Sequence, residues 1–165
     1  MTRAVLPSLL ALLALGCSRP DPTPTPEPPA PSKSTSALPV ETVAAPAEGE
    51  VQEIVRSALV KAKGEGRTLL VYVGASWCEP CQRFHQAAKA GQLDSAFPGL
   101  RLLELDLDRD GDRLKRAGYV SKMIPLFAVP REDGTASGRQ IEGSIKGPGA
   151  VDQISPRLRA LLAGG

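Results

Sequence analysis

Two cysteines separated by two residues are the side chains of this sequence most suited to chemistry. Cys78 and Cys81 lie in the stretch GASWCEPCQRFH, residues 74–85, with Trp77 before them and His85 after them. A pair at this spacing could be a redox couple, part of a metal site, or an anchor for haem. The neighbouring residues help to distinguish these three chemistries.

A haem anchor requires a histidine directly after the second cysteine, and Gln82 occupies that position. A structural zinc site usually takes four ligands from two such pairs, whereas this chain has one pair and one histidine. A redox couple requires only two sulfurs that can bridge, one of which is activated. The sequence therefore favours a redox couple, and we assign no cofactor and no metal ligands.

The elements on either side of the motif explain how Cys78 could be activated. An apolar run at 68–74 predicts a buried strand and residues 80–90 predict a helix, so Cys78 falls at the start of that helix. Backbone N–H groups and the helix dipole favour the thiolate there, which lowers the pKa of such a thiol from about 8.5. We therefore expect Cys78 to attack and Cys81, one turn inside the helix, to resolve the mixed disulfide.

The sequence Trp77-Cys78-Glu79-Pro80-Cys81 resembles the W-C-x-P-C active site of the thioredoxin family. Ile124-Pro125, which opens a later apolar run, resembles the cis-proline loop of that family. The resemblance implies that Trp77 shields the sulfurs and that Glu79 and Pro80 complete the active site between them. It also implies that the Ile124 backbone pairs with an extended partner segment, in a groove shaped by Pro125.

The chain departs from thioredoxins proper at two positions near the motif. Tyr72 stands where the family has an aspartate buried beneath the cysteines, and Gln86 replaces a proline that kinks the active-site helix. Glu79 instead resembles the extracytoplasmic, membrane-tethered thioredoxins that reduce exported thiols, and its charge is expected to raise the pKa of the Cys78 thiol. The resemblance thus implies a thiol–disulfide reductase whose partners are exported proteins and an upstream thiol donor or acceptor.

The remaining sequence pattern predicts the order helix, strand, helix, strand, helix, strand, strand, helix. Strands joined through helices pair in parallel and a final hairpin pairs antiparallel, so we predict a central mixed sheet with helices on both faces. The resemblance identifies this α/β domain as a thioredoxin-like fold. The predicted elements are 51–62, 68–74, 80–90, 100–108, 109–117, 126–129, 138–143 after an Asp133-Gly134 turn, and a helix with Ser155 as N-cap and Pro156 as first residue.

The first 48 residues differ in character from the domain at 49–165. Residues 1–16 have a basic start and an apolar run, which is typical of a secretory signal peptide. The sequence LALGC resembles the lipobox of bacterial lipoproteins, in which the cysteine, here Cys17, is acylated. Residues 17–48, rich in proline, predict a disordered tether. We therefore expect a lipoprotein anchored in a membrane on the extracytoplasmic side of the bacterial cell envelope.

Two alternative functions stay open at this point. His85 could join Cys78 and Cys81 in binding copper(I), which would make the protein a metal chaperone. A non-catalytic adaptor could keep the fold and use the tether to present an interaction surface. Nucleic-acid binding has no support, because the net charge is only +2 and no basic stripe with aromatic residues occurs.

The acidic run Asp106–Asp112 is similar to the start of a calcium-binding EF-hand loop. It does not complete the motif, because Ala117 occupies the position at which the loop requires a bidentate glutamate. We interpret the run as a solvated loop between a strand and a helix, with Asp110 or Asp112 as the cap of that helix.

Overall fold

The computed structural model describes residues 38–164. The predicted signal peptide 1–16, the proposed lipidation site Cys17 and the tether as far as residue 37 lie outside the described residues. Within 38–164, no helix has the length and apolar character needed to cross a membrane. The elements are β1 (Glu41–Ala44), α1 (Val51–Gly64), β2 (Thr68–Gly74), α2 (Glu79–Lys89), β3 (Leu100–Asp106), α3 (Leu107–Arg116), β4 (Leu126–Pro130), β5 (Ala136–Glu142) and α4 (Ala150–Ala163).

The strands form one mixed sheet in the order β1-β3-β2-β4-β5. β3 pairs in parallel with both β1 and β2, whereas β4 pairs antiparallel with β2 and with β5. The parallel strands are connected through helices and the last two strands through a hairpin, as the sequence pattern predicts. The predicted thioredoxin-like α/β fold is therefore confirmed.

Strand β2 lies at the centre of the sheet and is buried on both faces. Leu69, Val71 and Val73 contribute to one hydrophobic core, in which α1 and α3 also pack. Leu70 and Tyr72 point into a second core, shared with α2 and α4. The continuous apolar run of β2 thus has a simple cause, because helices cover both faces of a strand whose side chains alternate between them.

The sheet begins earlier in the chain than the sequence predicted. The predicted tether ran to residue 48, but Glu41–Ala44 forms strand β1, and the Ala45 N–H donates to the Glu104 carbonyl at 2.8 Å. The Glu41 carboxylate also pairs with the Arg101 guanidinium of β3 at 2.6 Å. Four residues with little apolar pattern form a strand here because the edge of β3 supplies their hydrogen-bond partners.

Helix α4 also begins earlier than predicted, at Ala150, so Pro156 lies inside the helix and Ser155 is not its N-cap. The Ser155 hydroxyl instead donates to the Val151 carbonyl one turn back, at 2.8 Å. Ala150 and Ile154 are fully buried on the face that also carries Leu158. This burial stabilises the turns ahead of Pro156 despite the hydrogen bond that a proline cannot donate.

The prediction that Asp110 or Asp112 caps the third helix is wrong. α3 begins at Leu107, and the Asp106 carboxylate caps it by accepting from the backbone N–H groups of Asp108 and Arg109 at 2.9 and 3.0 Å. Asp110 is instead buried, and its carboxylate is paired with arginines. The acidic run is therefore the start of a helix, with a buried carboxylate that pairs with two arginines, rather than an open loop.

Candidate active site

The two cysteines meet where β2 ends and α2 begins. A turn after β2 is closed by the Cys78 N–H, which donates to the Ala75 carbonyl at 3.1 Å. Cys78 is the N-cap of α2, and Cys81 lies in its first turn. Their sulfurs are bonded at 1.99 Å, with the Cα atoms 5.2 Å apart. The structure thus brings the two cysteines of the motif together as a disulfide.

The Cys78 sulfur lies against the N-terminus of α2, as the sequence predicts. The Cys81 N–H donates to Cys78 Sγ with a distance of 3.3 Å, and the Gln82 N–H donates to the Cys78 carbonyl at 3.0 Å. In the reduced protein, the Cys81 N–H and the dipole at the start of α2 would stabilise negative charge on the Cys78 sulfur. The local geometry therefore suits Cys78 to be the attacking sulfur.

The two cysteines line different cavities. Cys78 lines a surface groove of about 350 Å³, which we call the Cys78 groove, formed by residues 77–80 and 107, by residues 121–124, and by residues 143, 144 and 146. Cys81 lines a separate cavity of about 360 Å³, which we call the rear cavity, between α2 and β3. Cys78 and Cys81 are only 4% and 3% exposed, so a partner's sulfur must reach Cys78 through its groove.

The predicted proline loop adjoins this groove. The Ile124–Pro125 peptide bond is cis, and Ile124 lines the groove. Pro125 itself is buried, and its carbonyl accepts from the Gly143 N–H at 2.9 Å. Pro125 thus connects the two loops that form the far wall of the groove, without lining it.

Trp77 lies on the rim of the Cys78 groove, with 64% of its surface exposed. Its indole N–H donates to the Asp108 carboxylate in α3 at 2.8 Å, which holds the ring between the two elements. Trp77 was expected to shield the sulfurs, and its contact with Asp108 was not predicted from the sequence. No local pattern identifies a hydrogen bond between side chains that are 31 residues apart in the sequence.

Glu79 is less able to act on Cys78 than its position between the cysteines suggested. Its carboxylate accepts from Arg83 Nε at 2.9 Å and from the Gly147 N–H at 3.2 Å. The hydrogen bond from Arg83, together with that from Gly147 and the charge of Lys146, lowers the pKa of Glu79. The Glu79 carboxylate therefore stays charged, and the guanidinium of Arg83 offsets part of its negative charge.

Tyr72 lies beneath the cysteines, where the resemblance placed it. Its hydroxyl donates to the Cys81 carbonyl at 3.0 Å, and burial together with the charge of Glu104 raises the pKa of the phenol. Gly74 leaves room for this contact, because a Cβ atom there would lie 3.3 Å from the Tyr72 hydroxyl and 3.4 Å from Cys81 Cβ. A neutral phenol therefore packs behind the disulfide.

His85 lines the rear cavity together with Cys81 and Glu104. Its Nδ1 atom lies 3.1 Å from the Glu104 carboxylate, although the two groups are not aligned as a hydrogen bond. Among residues 38–164, no three His, Cys, Asp or Glu side chains are grouped so that they could hold a metal ion. In this disulfide form, Cys78, Cys81 and His85 thus do not make a ligand set.

Comparisons with known proteins find similarity to redox proteins. No protein-family model matches the chain. A probable nucleoredoxin 3 of Oryza sativa subsp. japonica is 28% identical over 85 residues, which are 50% of this chain and 17% of that protein. The Trichomonas vaginalis thioredoxin structure has 21% identity and a TM-score of 0.44, with 77% of this chain and 98% of that chain covered.

The Fasciola hepatica thioredoxin structure has 19% identity and a TM-score of 0.46, with 77% of this chain and 98% of that chain covered. The match to the nucleoredoxin covers less than a fifth of that relative's length. The described residues combine a thioredoxin-like topology with a Cys78–Cys81 disulfide at the start of α2.

Proposed function

We propose that this protein is a thiol–disulfide oxidoreductase, and that it works as a reductase of exported proteins. The observation that carries the proposal is the Cys78–Cys81 disulfide at the start of α2, with Cys78 opening on a surface groove and Cys81 behind it. Thiol–disulfide exchange requires an accessible attacking sulfur and a second sulfur within bonding distance. The arrangement supplies both, and no additional cofactor is needed to carry the electrons.

The reaction begins with the reduced protein. The Cys78 thiolate attacks one sulfur of a partner's disulfide, whose S–S bond breaks, and the displaced partner thiolate takes a proton from solvent. Cys81 then loses its proton and attacks Cys78 Sγ, which releases the partner's second sulfur as a thiolate and closes the Cys78–Cys81 bond. Two electrons have passed to the partner, and an upstream dithiol must return two electrons to reopen the bond.

The proposed location is the extracytoplasmic side of the bacterial cell envelope. It is supported by the apolar segment of residues 1–16 and the lipobox-like LALGC sequence, in which Cys17 would carry the lipid. The proline-rich residues that follow would act as the tether of the folded domain. The proposed partners are exported proteins with disulfides or thiols, an upstream thiol donor or acceptor, and the membrane.

The proposal is tested with the full chain expressed in a bacterial cell envelope. We expect Cys81→Ser to trap a mixed disulfide between Cys78 and its natural partner, visible as a band that disappears on reduction and identified by mass spectrometry. Cys78→Ser is the matched control, because it keeps Cys81 and Cys17 but lacks the attacking sulfur. In the same cells, Cys17→Ala is expected to move the protein from the membrane fraction to the soluble fraction.

Two results would contradict the proposal. If purified Cys78→Ser still reduced a neutral peptide disulfide at the wild-type rate, the Cys78 sulfur would not be the nucleophile. If Cys81→Ser formed no more mixed disulfide than Cys78→Ser, the pair would not exchange with partners. Unchanged function of Cys78→Ser in cells would favour the non-catalytic adaptor instead.

A further inference from the structure

The Cys78 groove is apolar at its centre and carries lysines on its far wall. Trp77, Met123 and Ile124 line it beside the sulfur, and both Trp77 and Met123 are exposed. An exposed apolar groove around a reactive atom is typical of a binding surface. Lys122 and Lys146 line the same groove, one from the segment ahead of β4 and the other from the loop behind β5.

The charge of Lys146 helps to lower the pKa of Glu79, but neither groove lysine is held in a direct ion pair among residues 38–164. Within the part of the chain that the structure describes, neither Lys122 nor Lys146 forms an ion pair within 4.0 Å, and both residues are exposed. Glu79, a carboxylate that also lines the groove, is engaged by Arg83 and by the Gly147 N–H. The groove therefore presents two ammonium groups, while its carboxylate is offset by a guanidinium.

Two further carboxylates lie near the groove without lining it. Glu142 accepts from the Lys122 backbone N–H at 2.8 Å, and Asp108 accepts from the Trp77 indole. The Glu142 carboxylate is thus bonded to the backbone of Lys122, and the Asp108 carboxylate to the side chain of Trp77. Neither carboxylate lines the Cys78 groove, whereas Lys122 and Lys146 both do.

We propose that the Cys78 groove selects partner segments in which acidic residues flank the reacting cysteine. This inference rests on the proposed oxidoreductase function and names the substrate class of the same site. Carboxylates on either side of the partner's cysteine would pair with Lys122 and Lys146, while the apolar residues contact the segment around its sulfur. The lysines then act as specificity residues, since they recognise the partner without touching the reacting sulfurs.

The size of the effect follows from the exposure of the two lysines. Pairs between exposed charges are weak. We therefore expect each lysine to raise the ratio of the exchange rate of an acidic partner to that of a basic partner about threefold, and both lysines together to raise it about tenfold. The preference should also depend on salt, because the screening length falls to about 3 Å at 1 M ionic strength. A preference based on shape alone would persist at high salt.

The test uses three nonapeptides with one central cysteine, each in a mixed disulfide with 2-mercaptoethanol and flanked by Glu, Gln or Lys. The rate at which each peptide oxidises the reduced full chain is measured at low salt and in 1 M NaCl. We expect the Glu peptide to react about ten times faster than the Lys peptide at low salt, with the ratio approaching about one in 1 M NaCl.

Two double variants with the same change in charge locate the effect. Replacing Lys122 and Lys146 by glutamine should reduce the Glu-to-Lys peptide ratio to about two or less. Replacing Lys61 and Lys63 of α1, which do not line the groove, should leave the ratio at its wild-type value. Unfolding midpoints of both variants are measured, so that a change in ratio is not confused with loss of structure.

The outcomes separate this inference from the proposed function. If the wild-type chain reduced none of the three peptides, the oxidoreductase proposal itself would fail. If all three were reduced at the same rate, the activity would stand and the acidic preference would be overturned. A preference that survived in the Lys122 and Lys146 variant, or in 1 M NaCl, would likewise overturn the assignment to these lysines.

Discussion

Replacing Asp110 with asparagine would remove a fully buried carboxylate from α3. Arg109 donates to this carboxylate through two nitrogens at 2.9 and 2.8 Å, Arg113 also donates to it, and the Asp106 N–H donates to it at 3.0 Å. Arg113 further donates to backbone carbonyls at residues 46 and 49. The carboxylate therefore connects α3 to the segment ahead of α1, and its loss should lower the free energy of unfolding.

The size of this loss follows from the pKa of Asp110. Burial alone would raise that pKa, but the hydrogen bonds from Arg109, Arg113 and the Asp106 N–H, together with the charge of Arg109, lower it from 3.8 to about 2. At about 1.4 kcal/mol for each pKa unit, the ionised carboxylate contributes about 2 kcal/mol at neutral pH. Asparagine also leaves two guanidinium groups without their counter-charge, so we expect a total loss of about 2–4 kcal/mol.

The pH dependence has a definite sign. Because the pKa of Asp110 is lower in the folded state, its contribution is present above about pH 4 and is lost as pH falls through about 2. Urea unfolding of the oxidised wild type and Asp110→Asn should therefore show a difference in free energy that is constant near neutral pH. Between about pH 4 and pH 2, that difference should shrink by about 2 kcal/mol.

Asp112→Asn is the matched control, because Asp112 lies in the same helix with 88% of its side chain exposed. Its pairing with Lys115 is a surface contact, and we expect a loss below about 0.5 kcal/mol. Equal stability of the two variants at pH 7 would show that the buried Asp110 carboxylate does not stabilise the fold. A difference for Asp110→Asn that did not diminish below pH 4 would contradict the low pKa of Asp110 in the folded state.

Two further predictions concern the backbone and use the same unfolding assay. Gly134 has φ +87° and packs so closely on α1 that a Cβ atom would lie 2.1 Å from the Gln52 carbonyl oxygen, whereas Gly138 has φ +84° and open space around it. Gly138→Ala should therefore lower the free energy of unfolding by about 1 kcal/mol, and Gly134→Ala should lower it by about 3 kcal/mol or more. Equal losses would show that the contact of Gly134 with α1 does not affect stability. Pro156→Ala should raise the free energy of unfolding by about 1–2 kcal/mol, because the alanine N–H can donate to the Asp152 carbonyl inside α4. A less stable variant would contradict this expectation.

Much of the central sheet was predictable from local pattern. The run at 68–74 is apolar without interruption because β2 is covered on both faces, and glycines bound it on either side. The cysteine motif is also local, since Cys78 and Cys81 lie within one turn of a helix that begins directly after the strand. Position along the chain was therefore sufficient to place both sulfurs at the start of α2.

The errors occurred where distant contacts outweigh local signals. β1 has little apolar periodicity of its own, and it is a strand because β3 offers it a parallel edge. Ser155-Pro156 has the composition of a helix start, but the burial of Ala150 and Ile154 extends α4 beyond it. In the acidic run, Asp110 was mistaken for a cap, because its carboxylate becomes buried, and its partner Arg113 reaches the carbonyls of residues 46 and 49, only when α3 packs in the fold.

The disulfide chemistry and the order of most elements depend on residues that are close in sequence, and short-range patterns were sufficient for both. The surroundings of the disulfide depend on chain segments far from the motif. Pairing of β4 with β5 brings residues 121–124 and 143–146 to one groove, and packing of α3 brings Asp108 to Trp77. Only the tertiary structure determines these contacts, because they form between residues that are far apart along the chain and that share no sequence pattern.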